Sequence, residues 1–246
     1  MPELSSEQIQ DHVTLALAED IGGGDATTNA LVDAQRRCQA HIVARELLTY
    51  CGQKLIETVF QRLDADAVIT HSCSDGDEVS AGVILATINA STRAVLTGER
   101  TALNYAQRLS GVATQAGHYV AAVNGTGVLL LDTRKTTPGW RYLEKYAVQC
   151  GGARNHRRGL DDMVMIKDNH LAALQGSNRI ASAIVQCREA HPNLKIEVEA
   201  DTPIQARQAA EAGADIILLD NMSLDELRES VALIGERSQI EASGGV

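Results

Sequence analysis

Aromatic side chains are scarce in this sequence, with one Trp, one Phe and five Tyr. Proteins that hold single-stranded nucleic acid stack bases on aromatic rings, and this chain has few rings to offer. An excess of positive charge is also missing. A formal net charge of −10 and a pI near 5.1 argue against a nucleic-acid backbone or an anionic membrane surface as partner. No apolar stretch approaches the roughly 18 residues that suggest a membrane-spanning helix. Nor does a basic segment near the N-terminus lead into a hydrophobic run with a small-residue cleavage site. The expectation is a cytoplasmic protein with no nucleic-acid or membrane partner. The cysteines Cys38, Cys51, Cys73, Cys150 and Cys187 are odd in number and form no CxxC pair. A thiolate metal site therefore lacks its usual pattern, and reduced structural thiols are expected.

What is present begins with apolar content. At 246 residues and 44% hydrophobic, the chain can fill one large α/β domain or two smaller ones. Ile9, Val13 and Leu17 recur at helical spacing and predict an amphipathic helix over Ser5 to Glu19, capped by Ser5 or Ser6. The Gly-rich segment from Glu19 to Thr28 predicts an ordered loop that docks this helix on a sheet. From 39 to 89, strand-like runs at 40–44, 67–70 and 83–88 surround one helical stretch, Gln53 to Leu63, which describes a small α+β unit. A long helical stretch from Ser91 to Val123 follows, with an interruption expected near Ser110-Gly111. The domain boundary is placed inside it, giving domains 1–115 and 116–246.

After Asn124-Gly125 the rhythm alternates. Apolar runs at 128–131, 163–166, 194–198, 215–219 and 239–242 are separated by helical patterns at 138–149, 177–190, 203–212 and 223–236. Continuous apolar runs between helices predict a parallel sheet with crossover helices, as in a β/α barrel. The carboxyl ends of barrel strands meet at one face. That convergence would bring Arg134, Lys135, His156, Arg157 and Lys167 to face Glu199 and Asp220, with Ser243, Gly244 and Gly245 offering backbone amides to a phosphate.

A single strand-end Lys or Asp is ordinarily a solvated loop charge, so the argument rests on their coincidence at successive strand ends. Lys195, Glu197, Glu211 and Asp215 are read as surface or pairing charges, His191 as a helix-end surface residue, and Trp140, Tyr142 and Tyr146 as packing residues. Clustered cations suit carboxylates and phosphates. Two acids among them need a divalent metal or a developing positive charge between acid and anion, and Mg²⁺ shared with substrate phosphates meets that need. The residues alone describe an enzyme acting on an anionic, phosphorylated, Mg-associated substrate.

The ordered motifs Glu19-Asp-Ile-Gly-Gly-Gly-Asp25, Thr97-Gly-Glu-Arg100, Asp132-Thr-Arg-Lys-Thr-Thr-Pro-Gly139, Asn155-His-Arg157, Ile166-Lys-Asp-Asn-His170, Glu197-Val-Glu199, Leu219-Asp-Asn221 and Glu241-Ala-Ser-Gly-Gly245 span nearly the whole chain. Together they resemble the quinolinate phosphoribosyltransferase family, the carboxylating nicotinate-nucleotide pyrophosphorylases. The resemblance implies an N-terminal α+β domain followed by a β/α barrel. It also implies conversion of quinolinate and phosphoribosyl pyrophosphate to nicotinate mononucleotide, pyrophosphate and CO₂ in NAD biosynthesis.

By the same resemblance, Arg134, His156, Arg157 and Lys167 grip the two quinolinate carboxylates, with Thr133 and Lys135 beside them and Lys135 near the pyrophosphate. Glu199 and Asp220 face the ribose and hold Mg²⁺ directly or through water. Lys135, Lys167, Glu199 and Asp220 are the expected catalytic set, and Ser243, Gly244 and Gly245 take the 5′-phosphate. Arg100 is expected to reach into a neighbouring subunit's site, which implies a homodimer. The family continues beyond the Ser-Gly-Gly with a helix, a strand and a last helix, whereas this sequence stops at Val246, so an incomplete barrel is expected.

Other readings are an aldolase-type barrel with Lys167 as a Schiff-base nucleophile, a catalytically silent ligand-binding protein, and a phosphoribosyltransferase of the same fold acting on nicotinate. Arg134, Arg157 and Lys167 together favour a dicarboxylate, because a monocarboxylate leaves a cation unpaired at a cost of about 1–3 kcal/mol.

Overall fold

Helix α1, Ser6–Ile21, starts where its cap allows: Ser5 accepts from the Gln8 backbone while the Gln8 side chain accepts from the Ser5 backbone. Its stripe of Ile9, Val13 and Leu17 is buried. The structure is a computed structural model and describes residues 4–245. Contacts divide the chain into a unit ending at His156 and another beginning at Arg157.

In the first unit the Gly-rich segment, expected to be loop throughout, ends in a helix. Asp25 accepts from Thr28 N at 2.9 Å and so caps a short helix α2, Ala26–Leu31. Strands β1 (Arg37–Val43), β3 (Val68–His71) and β5 (Ile84–Ser91) form an antiparallel sheet in the order β1-β5-β3. The small ladder of β2 (Leu48–Thr49) and β4 (Glu78–Val79) is too short to leave an alternation in the sequence. Helix α3, Gln53–Leu63, occupies the predicted span. It begins at Gly52, and the Asp75 carboxylate accepts from Gly52 N and Gln53 N at 2.8 and 3.1 Å.

Helix α4, Thr92–Ala122, runs unbroken through Ser110-Gly111, contrary to the expected interruption. The Ser110 hydroxyl is satisfied elsewhere: it accepts from Cys51 N at 3.0 Å and donates to Cys51 O at 3.3 Å, so it does not compete with the helix backbone. Tyr50, Leu55, Ile56, Phe60, Tyr105 and Leu109 are fully buried and fill the core of this unit. Helix α5, Arg141–Cys150, packs on α4. Its C-terminal Gly151 lies so close that an added Cβ would stand 2.2 Å from Ala113 O. The expected strand at 128–131 is reduced to a parallel bridge between Leu131 and Arg154, and Val128 and Leu129 are exposed.

In the second unit, strands β6 (Val164–Ile166), β7 (Ile196–Ala200), β8 (Ile216–Asp220) and β9 (Gln239–Ser243) form a parallel sheet in sequential order. Helices α7 (Arg179–Ala190), α8 (Pro203–Glu211) and α9 (Leu224–Ile234) cross over between them, and a short α6, Asp168–Ala172, follows β6. This βαβ progression is that of a β/α barrel, here incomplete. Val198, Ile217 and Ile234 are fully buried, with Leu219 nearly so, among small alanines that let the helices approach the sheet. Of the expectation that Glu197 is a surface or pairing charge, burial excludes the surface half: it lies on β7 with no exposed surface. Asp215 is a pairing charge: it accepts from Ile196 N at 2.7 Å and from Arg188 at 2.8 Å.

Candidate active site

In the first unit, the segment that follows Leu131 is organised by Asp132. The Asp132 and Lys145 side chains are both almost fully buried and form an ion pair. Asp132 also accepts from Asn155 Nδ2 at 2.7 Å and His156 N at 2.8 Å, while Lys145 donates to His156 O at 3.1 Å. Each charge thus has hydrogen-bond partners beyond its mate, which burial of opposite charges requires.

Thr133, Arg134 and Lys135 come next. Thr133 and Lys135 are exposed and Arg134 is half-buried. The Thr133 hydroxyl accepts from Lys135 N at 3.0 Å, and Thr136 N donates to Arg134 O at 3.0 Å, so the backbone turns tightly. The far end of the turn is held at Thr137, whose N and Oγ1 donate to the Glu144 carboxylate at 3.1 and 2.8 Å. Arg108, on α4, donates to the same carboxylate at 2.6 Å, and Arg141 donates to Thr136 Oγ1 at 3.1 Å. Burial would raise the Glu144 carboxyl, but the hydrogen bonds from Arg108 and Thr137 outweigh it and hold the group below the ordinary glutamate range.

Arg100 is exposed on α4. Thr97 and Thr101, on either side of it, donate to Asp25 and Asp20 at 3.0 and 3.3 Å, which ties both ends of the Gly-rich segment to this turn of the helix.

In the second unit the residues singled out from the sequence lie at the strand ends. Ile166 and Val198 are in register, so the next residue of β6 and that of β7, Lys167 and Glu199, meet as an ion pair. Asp220 ends β8 in register with Ser243 on β9. Asn221 stands at a φ of 55°, donates from Nδ2 to Asp220 at 2.7 Å and from its backbone N to Ser243 O at 2.9 Å. Gly244, at a φ of 87°, passes so near that a Cβ would lie 2.1 Å from Asn221 Oδ1; only glycine fits there. Arg157 donates to Met163 O at 3.2 Å, and Lys167 N donates to His170 Nδ1 at 2.9 Å. Within this unit the structure therefore gathers Lys167, Glu199, Asp220, Ser243 and Gly244 along one edge of the sheet, with Gly245 directly after them.

Sequence reasoning missed the supports. Glu144 and Lys145 lie between the buried positions Leu143 and Ala147, and that placement on the inner stripe of α5 was the available signal. Asp132 and Asn155 stood inside named motifs without a role.

Known families and structures match along the chain. The family described as quinolinate phosphoribosyl transferase, N-terminal domain, matches residues 25–110, and the corresponding C-terminal domain matches residues 112–246. These ranges meet inside α4, whereas the contact division falls after His156. A probable carboxylating nicotinate-nucleotide pyrophosphorylase of Bacillus subtilis is 41% identical, over 100% of this chain and 83% of its own length. One from Synechocystis is 43% identical, over 94% of this chain and 78% of its own. The crystal structure of NadC from Streptococcus pyogenes superposes with a TM-score of 0.94 at 40% identity, covering 100% of this chain and 86% of that one. The chain belongs to the quinolinate phosphoribosyltransferase family.

Proposed function

We propose that this chain transfers the phosphoribosyl group of phosphoribosyl pyrophosphate to the ring nitrogen of quinolinate and releases pyrophosphate and CO₂, giving nicotinate mononucleotide for NAD biosynthesis. The observation that carries the reading is the row Lys167, Glu199, Asp220 and Ser243 at the carboxyl ends of adjacent parallel strands, in a chain matched by both halves of one family. In the first step the bond from the ribose anomeric carbon to pyrophosphate breaks, and the quinolinate nitrogen lone pair forms the new bond to that carbon. The ring is then a pyridinium, which accepts the electrons of the adjacent C–CO₂ bond as CO₂ departs. A proton from solvent completes the ring carbon. Such chemistry asks the protein for position and fixed charge.

Family membership supports assigning both sets of residues to this one reaction. Arg134, His156, Arg157 and Lys167 grip the quinolinate carboxylates, with Thr133 beside them, and Lys135 stabilises the leaving pyrophosphate. A quinolinate carboxylate competes with Glu199 for Lys167. Once released, Glu199 joins Asp220 in facing the positive charge that develops on the ribose. The amides at Ser243, Gly244 and Gly245 hold the 5′-phosphate. Glu199 and Asp220 are oxygen donors at neighbouring strand ends, a donor set that suits Mg²⁺ held directly or through water. When bound, the ion neutralises pyrophosphate charge. Arg100 acts in the site of a second copy of the chain, so the active species is a dimer.

The Lys167 ammonium donates to Glu199, which is the arrangement of a charge clamp rather than of a Schiff-base amine. The decisive measurement is coupled detection of CO₂ and pyrophosphate with quinolinate or nicotinate as acceptor. Release of both products with quinolinate is expected; turnover of nicotinate without quinolinate would overturn the substrate. Borohydride trapping of a carbonyl substrate on Lys167 would replace the clamp with the aldolase reading.

A further inference from the structure

Two neighbouring charged residues of α5 are buried, and both face the segment that carries the proposed quinolinate cations. Lys145 holds the start of that segment at Asp132, and Glu144 holds its end at Thr137 through both the backbone and the hydroxyl. Among the described residues, the hydrogen bonds of the intervening Thr133, Arg134 and Lys135 stay within their own turn. Lys145 and Asp132 reach further, to the backbone of His156, so the same pair fixes a second proposed carboxylate ligand. As stability devices alone these charges are poor choices, since a buried ion pair contributes little more than well-packed apolar side chains of similar size. What charges add is fixed direction, and here the bonds go to Asp132 and Thr137, which flank the Thr133 to Lys135 turn, and to the backbone of His156.

We propose that Glu144 and Lys145 are positioning residues for quinolinate: they touch no substrate, and they set the place of Thr133 to Lys135 and of His156 by holding the Asp132 carboxylate on one side, Thr137 on the other, and the His156 carbonyl. This rests on the function proposed above. Arg108 belongs to the clamp as the group that orients Glu144 from α4. A loop displaced by an ångström loses ligand contacts long before the fold is lost.

The test compares Glu144→Ala and Glu144→Gln with the parent chain in steady-state kinetics for each substrate, alongside thermal unfolding. Glu144→Ala is expected to raise the KM for quinolinate about tenfold, equivalent to about 1.4 kcal/mol, and to leave the KM for phosphoribosyl pyrophosphate within about twofold. Glu144→Gln keeps an oxygen for Arg108 and Thr137 and is expected to recover quinolinate KM to within about threefold of the parent value. A fall in kcat that matches the lost folded fraction, with both KM values unchanged, would overturn the proposal, as would equal effects on the two substrates. Thr137→Val removes the hydroxyl that donates to Glu144 and accepts from Arg108, with little change of shape, and serves if Glu144→Ala does not fold. It is expected to raise quinolinate KM about threefold, and an unchanged value counts against the clamp. The parent chain separates the two readings: no quinolinate-dependent pyrophosphate release from it refutes the function, whereas an active parent with unaffected variants refutes the clamp alone.

Discussion

At the residue scale, charges divide into those that present themselves and those that hold others. The presenting group was legible in the sequence, because a cation or acid at the end of an apolar run declares its own position: Lys167, Glu199 and Asp220 stand at the ends of β6, β7 and β8. The holding group was not, because its meaning lies in partners distant along the chain, as with Lys145 and Asp132 or Glu144 and Arg108. Glu144 carries a pH signature. Its folded carboxyl lies below the ordinary range, so its contribution to stability is complete above the unfolded glutamate pKa of about 4.3 and is lost as pH falls through the folded value. Chemical unfolding of the parent and of Glu144→Gln should therefore differ most near neutrality and converge in acid; a gap that is constant with pH would contradict this. Gly151 gives a steric prediction. A Cβ there meets the backbone of α4 at Ala113, so Gly151→Ala should destabilise the first unit by about 1–3 kcal/mol in denaturant titration, whereas an unchanged midpoint would show that α5 moves freely against α4.

At the element scale, Ser5→Ala removes one arm of the capping box and should cost about 1 kcal/mol of stability while leaving kinetic constants unchanged. Unfolding midpoint and quinolinate KM, measured on one preparation, check both halves of that statement. Elements long enough to show a period were readable: α1 and α3 from their apolar stripes, β6 to β9 and their crossover helices from alternating blocks. Elements set by a few hydrogen bonds were not. The α2 helix depends on Asp25 as cap, β2 and β4 are two residues each, and α6 closes through His170. The continuity of α4 depends on Ser110 meeting Cys51, a tertiary fact that no local propensity contains. The apolar run at 128–131 looked like its counterparts later in the chain, yet only Leu131 makes a bridge, since a strand needs a neighbour as well as a composition.

At the scale of the whole molecule, no helix among the described residues is long and apolar enough to cross a membrane. The proposed sharing of Arg100 between copies predicts complementation: Arg100→Ala and Lys167→Ala chains, each inactive alone, should regain turnover when their subunits are mixed, because hybrid dimers contain one intact site. No recovery from demonstrably mixed dimers would place Arg100 in its own chain's chemistry or outside it. The clamp of α5 has a meaning for protein engineering as well. Asp132, Thr136 and Thr137 are each held by a side chain of α5, and Asn155 and His156 complete the same network. The segment proposed to bind quinolinate is therefore not a loop that can be exchanged by itself. Its smallest transplantable piece runs from Asp132 to His156, helix included, and a graft of the Thr-Arg-Lys turn alone would carry the proposed ligands without the frame that holds them.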